Sequence, residues 1–183
     1  MERKNAWEKY SEEDKKKVFD FAEEYRQFIS ACKTERECVS GLRTLAEKAG
    51  FRDMADVISG GTALKPGDRV FAQNKGKCMA LFVIGRRSME DGMNILGAHI
   101  DSPRLDLKQN PLYEDADLAL LDTHYYGGVK KYQWVTLPLA LHGVVAKKDG
   151  SVVEINVGEN PADPVFGVSD LLIHLSQEQL KKP

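Results

Sequence analysis

His99 and Asp101 are the residues whose types and spacing best suit chemistry, because an imidazole and a carboxylate stand two positions apart at the end of an apolar run. Residues 94–100 form that run and Pro103 closes it, a pattern typical of a buried strand. Alternate side chains of a strand share a face, so Asp101 is placed to orient the imidazole, as carboxylates do for metal-ligating histidines. The spacing also suits a histidine that closes a strand by hydrogen bonding alone.

The composition is that of a globular chain without a strong charge bias. Its 183 residues are 42% hydrophobic, enough to bury a core in one domain or two small ones. The formal net charge is -2 and acidic residues interleave with basic ones, so nothing favours nucleic acid or an anionic membrane as a partner. The first residues lack a signal peptide's apolar core and no run approaches a membrane span, which makes the cytoplasm the expected location.

Other potentially reactive groups have simpler interpretations. The cysteines are odd in number and lack Cys-x-x-Cys spacing, so we expect them to be reduced and mostly buried; they are Cys32, Cys38 and Cys78. Glu23 and Glu24 are adjacent acids, but neighbours on a helix point about 100° apart. Such a pair is typical of a solvated helix face.

Two amphipathic helices are predicted before any strand. Apolar side chains recur with three-and-four spacing over residues 11–32. A capping-box pattern at residues 34–37 begins a second helix, which Gly50 ends. Residues 69–84 then predict a β-hairpin. The first hundred residues are therefore expected to form helix, helix, hairpin and the strand that carries His99.

Beyond Pro103 the pattern changes to short strands without intervening helices. We predict strands at residues 105–108, 118–126, 134–145 and 152–157, with a turn at 109–111 and a hairpin turn at 147–150. This spacing is typical of a small antiparallel sandwich or barrel, so we place a domain boundary near Arg104, giving domains 1–104 and 105–183. The period changes again after Val168, which predicts a final helix carrying His174.

Several motifs also occur in an order that resembles one known family. They are Gly97-Ala98-His99-Ile100-Asp101-Ser102-Pro103, Tyr126-Gly127-Gly128, Trp134, Leu139-Ala140-Leu141-His142-Gly143 and Leu171-Leu172-Ile173-His174-Leu175. Together they resemble the N-terminal portion of the aspartyl aminopeptidase and aminopeptidase I family of metallopeptidases. The resemblance implies an α/β fold, α+β within this fragment, in which part of a metallopeptidase α/β domain precedes an inserted antiparallel β-rich dimerisation domain.

The resemblance also implies roles for individual residues. His99 matches the first metal ligand of a two-metal exopeptidase, usually a zinc enzyme, with manganese or cobalt as alternatives. Asp101 matches the catalytic carboxylate that orients it. His174 matches a histidine that reaches a neighbouring subunit's active site to hold substrate or the tetrahedral intermediate, and whether it also binds metal is left open. His124 and His142 match no functional position. The implied partners are a peptide substrate and a homodimer that builds a larger homo-oligomer, with no nucleic acid and no membrane.

Two departures from the family pattern bear on activity. Residues 135–138 are uncharged, where many members carry an acidic-basic-acidic run. This departure favours the bacterial aminopeptidase I-like branch, and it argues against a preference for substrates with acidic N-terminal residues. The family's bridging aspartate, Glu-Glu pair and last ligands belong to a region beyond Pro183. A catalytic zinc takes three protein ligands, so one histidine is too few. We therefore expect the N-terminal portion of a zinc aminopeptidase that is inactive alone.

The alternative function is that of a non-catalytic binding or assembly module derived from such a peptidase. Its support is the β-rich second half and a set of aromatic interface candidates: Tyr125, Tyr126, Tyr132 and Trp134. The same aromatic residues also suit ordinary packing within a sheet.

Overall fold

A computed structural model describes residues 4–178 and residue 181. The chain forms two compact units, Met1–Asp101 and Ser102–Pro183, here called unit 1 and unit 2. Unit 1 combines helices with a three-stranded sheet, and unit 2 contains two separate two-stranded sheets. The mixture of helices and small sheets agrees with the predicted α/β class. No helix within the described ranges is long and apolar enough to cross a membrane.

Both predicted N-terminal helices of unit 1 are confirmed, as α1 (Glu12–Ala31) and α2 (Glu35–Lys48). Each begins with a capping box, in which a hydroxyl accepts from the N3 amide and the N3 carboxylate accepts from the cap amide: Ser11 with Asp14, and Thr34 with Glu37. These contacts satisfy amides that have no partner within the helix. Gly50, with φ +81°, follows α2 in the left-handed conformation that favours glycine.

The sheet of unit 1 has the order β1-β2-β3. Its strands are β1 (Arg52–Asp53), β2 (Arg69–Asn74) and β3 (Cys78–Val83), and the short helix α3 (Met54–Ser59) follows β1. β1 runs parallel to β2, whereas β2 and β3 are antiparallel and form the predicted hairpin. Three residues connect the two strands, and Lys75 and Gly76 among them have positive φ, while the Lys77 amide donates to the Asn74 carbonyl at 3.0 Å.

The apolar core of unit 1 lies where α2 and α3 meet β2. Its buried members are Cys38, Val39, Ala46, Val57, Val70 and Phe71. α1 contributes no buried residue. Its predicted apolar stripe is largely exposed instead, with Phe21 at 74% and Tyr25 at 62% relative exposure. The helix predicted from the spacing is therefore present, but the described residues leave most of its apolar stripe uncovered.

Unit 2 consists of two antiparallel hairpins. The first pairs β4 (Arg104–Asp115) with β5 (Leu118–Tyr126), and the second pairs β6 (Leu141–Ala146) with β7 (Val152–Val157). The predicted turn at residues 109–111 is wrong, because β4 continues through a register shift between Leu107 and Leu112. Asn110 adopts a positive φ of 52° there, which absorbs the irregularity without reversing the chain. In the part of unit 2 that the structure describes, these are two separate two-stranded sheets, and neither the predicted sandwich nor a closed barrel is formed.

Three further elements differ from their predictions. Residues 94–100 form no strand, because no neighbouring strand in the described chain pairs with them, and Leu96 is 100% exposed. The strand predicted from residue 134 begins only at Leu141. Thr136 has φ 63°, outside the extended region, and Pro138 has no amide hydrogen to donate to a ladder.

The predicted helix after Val168 is also wrong for the described residues. Val168 instead forms a parallel bridge with Val135, and its carbonyl accepts from the Thr136 amide at 2.9 Å. An antiparallel bridge between Leu139 and Phe166 lies next to it. This pairing holds Val168 in extended conformation, and the described residues after it continue as irregular chain with turns at 173–175 and 177–178. The predicted helix position Leu180 lies outside the described residues.

Candidate metal site

His99 and Asp101 lie in unit 1, on a stretch of irregular chain that follows the short 3-10 turn Met89–Asp91. The His99 side chain is 84% exposed and that of Asp101 is 37% exposed. The structure therefore brings the predicted pair together, but on an open surface and not at the end of a buried strand.

The contacts of the imidazole define which of its nitrogens faces outward for a ligand. His99 Nδ1 lies 3.1 Å from the main-chain oxygen of Asp101 and 3.2 Å from its Oδ1. Both partners are acceptors, so Nδ1 carries the hydrogen and donates to them. In the neutral ring the lone pair is then on Nε2, which is the atom available to a cation. This is the tautomer that a metal-ligating histidine with an orienting carboxylate adopts.

The described residues provide part of a zinc site and not all of it. A catalytic zinc takes three protein ligands and leaves one position for water or substrate. Within residues 4–178 and at 181, no group of three or more His, Cys, Asp or Glu side chains could hold a metal ion. His99 and Asp101 therefore fit zinc as one ligand and the carboxylate that orients it.

His174 lies in unit 2, on the turn at residues 173–175, with an exposed side chain. Leu175 donates its amide to the Leu172 carbonyl at 2.8 Å, which closes the turn. The neighbouring Ser176 is buried, and its hydroxyl donates to the Ile173 carbonyl at 3.2 Å. The ring of His174 is thus presented on a locally closed turn and not on a helix.

The histidines without a predicted role have different surroundings. His124 is exposed and faces Asp106 across the β4–β5 ladder. His142 is half-buried as a residue, with 8% of its side chain exposed, and its Nε2 lies 2.9 Å from Oε1 of Glu159. Sequence reasoning missed this pair. The available signal was the Asp-Gly hairpin turn, which fixes the register of β6 and β7 and returns the chain to His142.

The cysteines are all free, and they differ in exposure. Cys38 is buried and Cys32 is intermediate, and burial raises the pKa of both thiols. Cys78 is exposed, which contradicts the expectation for that residue. It stands at the start of β3, an edge strand that pairs on one side only among the described residues.

The acidic pair on α1 belongs to a solvated face, as predicted. Glu23 accepts hydrogen bonds from Arg26 at 2.7 Å and from Gln27 at 2.9 Å. The guanidinium of Arg26 contributes most to lowering the pKa of Glu23 from its ordinary 4.5 to about 2. A carboxylate held in this way is ionised at neutral pH and pairs with its own helix.

The aromatic candidates of unit 2 are largely exposed. Tyr125, Tyr126 and Tyr132 are 57%, 40% and 73% exposed, and Trp134 is half-buried. The Arg104 guanidinium stacks over Tyr126 at 4.1 Å, and Lys131 Nζ lies 5.2 Å from the Tyr125 ring centre. Both cations cover one ring face of a tyrosine without burying it.

Comparison with known proteins gives consistent matches for the whole chain. A relative from Clostridium acetobutylicum, named a probable M18 family aminopeptidase 1, is 61% identical over 181 residues, which are 99% of this chain and 39% of the relative. The crystal structure of aminopeptidase I from Clostridium acetobutylicum matches with a TM-score of 0.84 and 60% identity, over 100% of this chain and 40% of that one. Aminopeptidase I from Borrelia burgdorferi B31 matches with a TM-score of 0.85 and 44% identity, over 93% and 41%.

This chain spans about two fifths of the length of these relatives. A more distant match is the S. cerevisiae mApe1 dodecamer, with a TM-score of 0.68 and 23% identity over 83% of this chain, which shows the fold alone. The family model described as "Aminopeptidase I zinc metalloprotease (M18)" matches residues 28–183. That range contains both the His99–Asp101 pair and His174, and the chain therefore belongs to the M18 family of aminopeptidase I zinc metalloproteases.

Proposed function

We propose that this chain is the N-terminal portion of a two-metal zinc aminopeptidase, which removes N-terminal residues from peptides. The observation that carries the proposal is the His99–Asp101 pair, in which two oxygen acceptors hold Nδ1 and leave Nε2 to bind a cation. The M18 match over residues 28–183 supports the reaction class. The relatives compared above are themselves aminopeptidases, so they give no support to the binding-module alternative.

In this proposal each candidate residue has a separate task. His99 donates one nitrogen ligand to a metal, and Asp101 fixes its ring orientation and tautomer. When bound, the metal pair supplies a Lewis acid for the scissile carbonyl and lowers the pKa of water. His174 contacts the substrate from a neighbouring subunit, on a turn that presents its ring to solvent.

By itself this chain is proposed to be inactive, because its described residues assemble no group of three metal ligands. The missing ligands would come from the part of the relatives that this chain does not match. Zinc remains the proposed metal, with manganese or cobalt as alternatives, and the cytoplasm remains the proposed location.

The domain assignment and self-association are part of the same proposal. Residues 1–104 would belong to the catalytic domain, and residues 105–183 to an inserted dimerisation domain. The two compact units of the structure meet in the sequence between Asp101 and Ser102, which supports a domain boundary in this region. Exposed apolar side chains on both hairpins, such as Leu112 at 70% and Val152 at 60%, support a homodimer that would cover them.

A chimera tests the proposed function. The matched N-terminal part of the Clostridium acetobutylicum relative is replaced with this chain, and hydrolysis of a panel of aminoacyl substrates is measured with zinc. We expect activity in the chimera, and none above the metal blank for this chain alone. Asp101→Asn should reduce kcat/KM by about 10- to 100-fold, the usual effect of losing a partner of a metal ligand. His99→Ala should reduce it further, with lower zinc content.

His124→Ala is the matched control, because that imidazole is exposed and has no proposed role. His174→Ala should reduce kcat while zinc content stays unchanged, and a loss of zinc would instead assign it to the metal. Full activity of the His99→Ala chimera, or turnover by the unmodified chain alone, would contradict the proposal.

A further inference from the structure

The His99–Asp101 pair lies on a segment without a hydrogen-bonded ladder. In the described chain, residues 93–103 make no backbone–backbone hydrogen bond. Irregular chain on a surface is ordinarily mobile, whereas a metal ligand must be held within about 0.5 Å of its productive position. Something other than secondary structure must therefore fix the backbone between the two residues.

The Cys38 thiol reaches this backbone from α2. Its Sγ lies 3.7 Å from the carbonyl oxygen of Ile100, the residue between His99 and Asp101. It lies equally far, 3.7 Å, from the carbonyl oxygen of Cys32 at the end of α1. A distance of this length suits a hydrogen bond donated by the larger sulfur atom, whose one hydrogen is shared between the two carbonyls or donated to either of them in turn. Cys38 is only 8% exposed, so water does not compete strongly for either contact.

Cys38 is itself held rigidly. It follows the capping box of α2, in which the Glu37 amide donates to the Thr34 hydroxyl at 3.3 Å, and its own amide donates to the Thr34 carbonyl at 2.9 Å. The next residue, Val39, is 2% exposed and belongs to the core of unit 1. A side chain at this position is a fixed point from which a neighbouring segment can be held.

The protonation state of the thiol suits a donor. Burial raises the pKa of Cys38, and the nearby Cys32 and Glu37 raise it further. The group therefore keeps its hydrogen at neutral pH, which is the form that donates to a carbonyl.

We propose that Cys38 is a positioning residue, whose S–H donates to the Ile100 carbonyl and thereby fixes the peptide group between Ile100 and Asp101, next to His99. Orientation of that peptide places the main-chain oxygen and Oδ1 of Asp101, the two acceptors of the His99 Nδ1–H. The contact thus transmits the rigidity of α2 to the imidazole. Its use in catalysis rests on the proposed function, but the contact and its effect on the ring are measurable without metal.

The test uses NMR of the 183-residue chain, with Cys38→Ala and Cys38→Ser compared with Cys78→Ala. The exposed thiol of Cys78 makes that variant the matched control. Cys38→Ala should shift the 13C carbonyl resonance of Ile100 upfield and lower the order parameter of the Asp101 amide from about 0.85 to below about 0.6. The ring-nitrogen shifts of His99 should show loss of the single Nδ1–H tautomer. Cys38→Ser, which keeps a hydroxyl donor, should stay close to the unmodified chain, as should Cys78→Ala.

Unchanged Ile100 and His99 signals in Cys38→Ala, or equal losses in the serine and alanine variants, would overturn the proposal. If the alanine variant fails to fold, the unmodified chain decides. A hydrogen-bonded Cys38 thiol proton should then be observed in water with a nuclear Overhauser effect to the Asp101 amide, and its absence would overturn the proposal. The zinc content of the His99→Ala chimera separately tests whether the ring binds a metal in the complete site. Unchanged zinc content there would remove the proposed function and leave the Cys38 contact standing.

Discussion

Unit 1 and unit 2 differ in whether they bury an apolar core. All of the buried apolar residues identified among the described positions belong to unit 1, where α2 and α3 cover one face of β2. In unit 2 the buried residue is a polar one, Ser176. The second hairpin of unit 2 is paired along its full length, and the first is paired on both sides of its register shift, so the difference is one of packing more than of secondary structure.

The difference shows what a sheet needs beyond its hydrogen bonds. A two-stranded ribbon is at best marginally stable in water, and an apolar face is stabilised when a second layer covers it. Unit 1 supplies that layer itself. Unit 2 relies on local contacts, such as the stacking of Arg104 on Tyr126 and the closeness of Gly127 to Pro103, where a Cβ added at Gly127 would lie 3.4 Å from Pro103 Cα. A surface supplied by another copy or another segment would complete its packing, which is the role that the proposed homodimer would have.

Removal of a large core side chain should give the largest contrast between the units. Phe71 is fully buried, so Phe71→Ala should lower the free energy of unfolding of unit 1 by about 3–5 kcal/mol, through lost burial and the cavity left behind. Val153 of β7 is 39% exposed, and Val153→Ala should cost below about 1 kcal/mol. The measurement is urea denaturation followed by tryptophan fluorescence.

The two tryptophans allow the units to be followed separately. Trp7 lies in unit 1, where it contacts Phe19 with ring centres 6.0 Å apart, and Trp134 lies in unit 2. In the Trp134→Phe background the fluorescence comes from Trp7 and reports on unit 1. In the Trp7→Phe background it comes from Trp134 and reports on unit 2. If Phe71→Ala and Val153→Ala lowered the free energy of unfolding of their own units equally, unit 2 would have a core comparable to that of unit 1. That result would contradict the proposed difference between the units.

Hydrogen exchange should show the same contrast without any substitution. Val70 is 0% exposed on the central strand β2, whereas Val144 on β6 is 36% exposed in a two-stranded sheet. We expect the amides of β2 to exchange at least about 100-fold more slowly than those of β6, a difference of about 2.7 kcal/mol in opening free energy. Comparison at low and high protein concentration is the control. Protection of β6 that rises with concentration would indicate that self-association supplies the missing layer.

The elements that sequence predicted well are those specified by neighbouring residues. The capping box at Thr34 and the hairpin turn at Gly76 each depend on side-chain or backbone chemistry within a few positions. Residues 94–100 and the segment after Val168 were mispredicted because their apolar periodicity describes a preference for burial and not its partner. The former finds no strand to pair with among the described residues, and the latter pairs with Val135.

The candidate site divides in the same way. The i, i+2 relation of His99 and Asp101 is local, and the predicted contact between them is present. The contact of Cys38 with Ile100 joins residues 62 positions apart. No spacing rule could suggest it, because it depends on how α2 packs in unit 1. The His142–Glu159 pair similarly needed the register of β6 and β7.

The smallest predicted effects concern two exposed carboxylates, one in each unit, whose pKa values are lowered by different partners. For Glu23 in unit 1 the main cause is the Arg26 side chain, and for Asp149 in unit 2 it is the Ser151 hydroxyl. A lowered pKa adds stability that is complete above the unfolded value and is lost as pH falls through the folded value. For Glu23 this contribution to stability is lost as the pH falls from about 4.5 to about 2.

NMR titration should therefore separate the two causes. Arg26→Ala should move the pKa of Glu23 from about 2 back towards 4.5, and Ser151→Ala should raise that of Asp149 towards 3.8. Added salt should raise the pKa of Glu23 more than that of Asp149, because ions screen a charged partner and leave a neutral hydroxyl unaffected. Equal salt responses would show that the charge of Arg26 is not what holds the Glu23 carboxylate ionised. Because both side chains face solvent, neither substitution should change the contrast in hydrogen exchange between the units. A change caused by Arg26→Ala would mean that the packing of α1 depends on the ion pair.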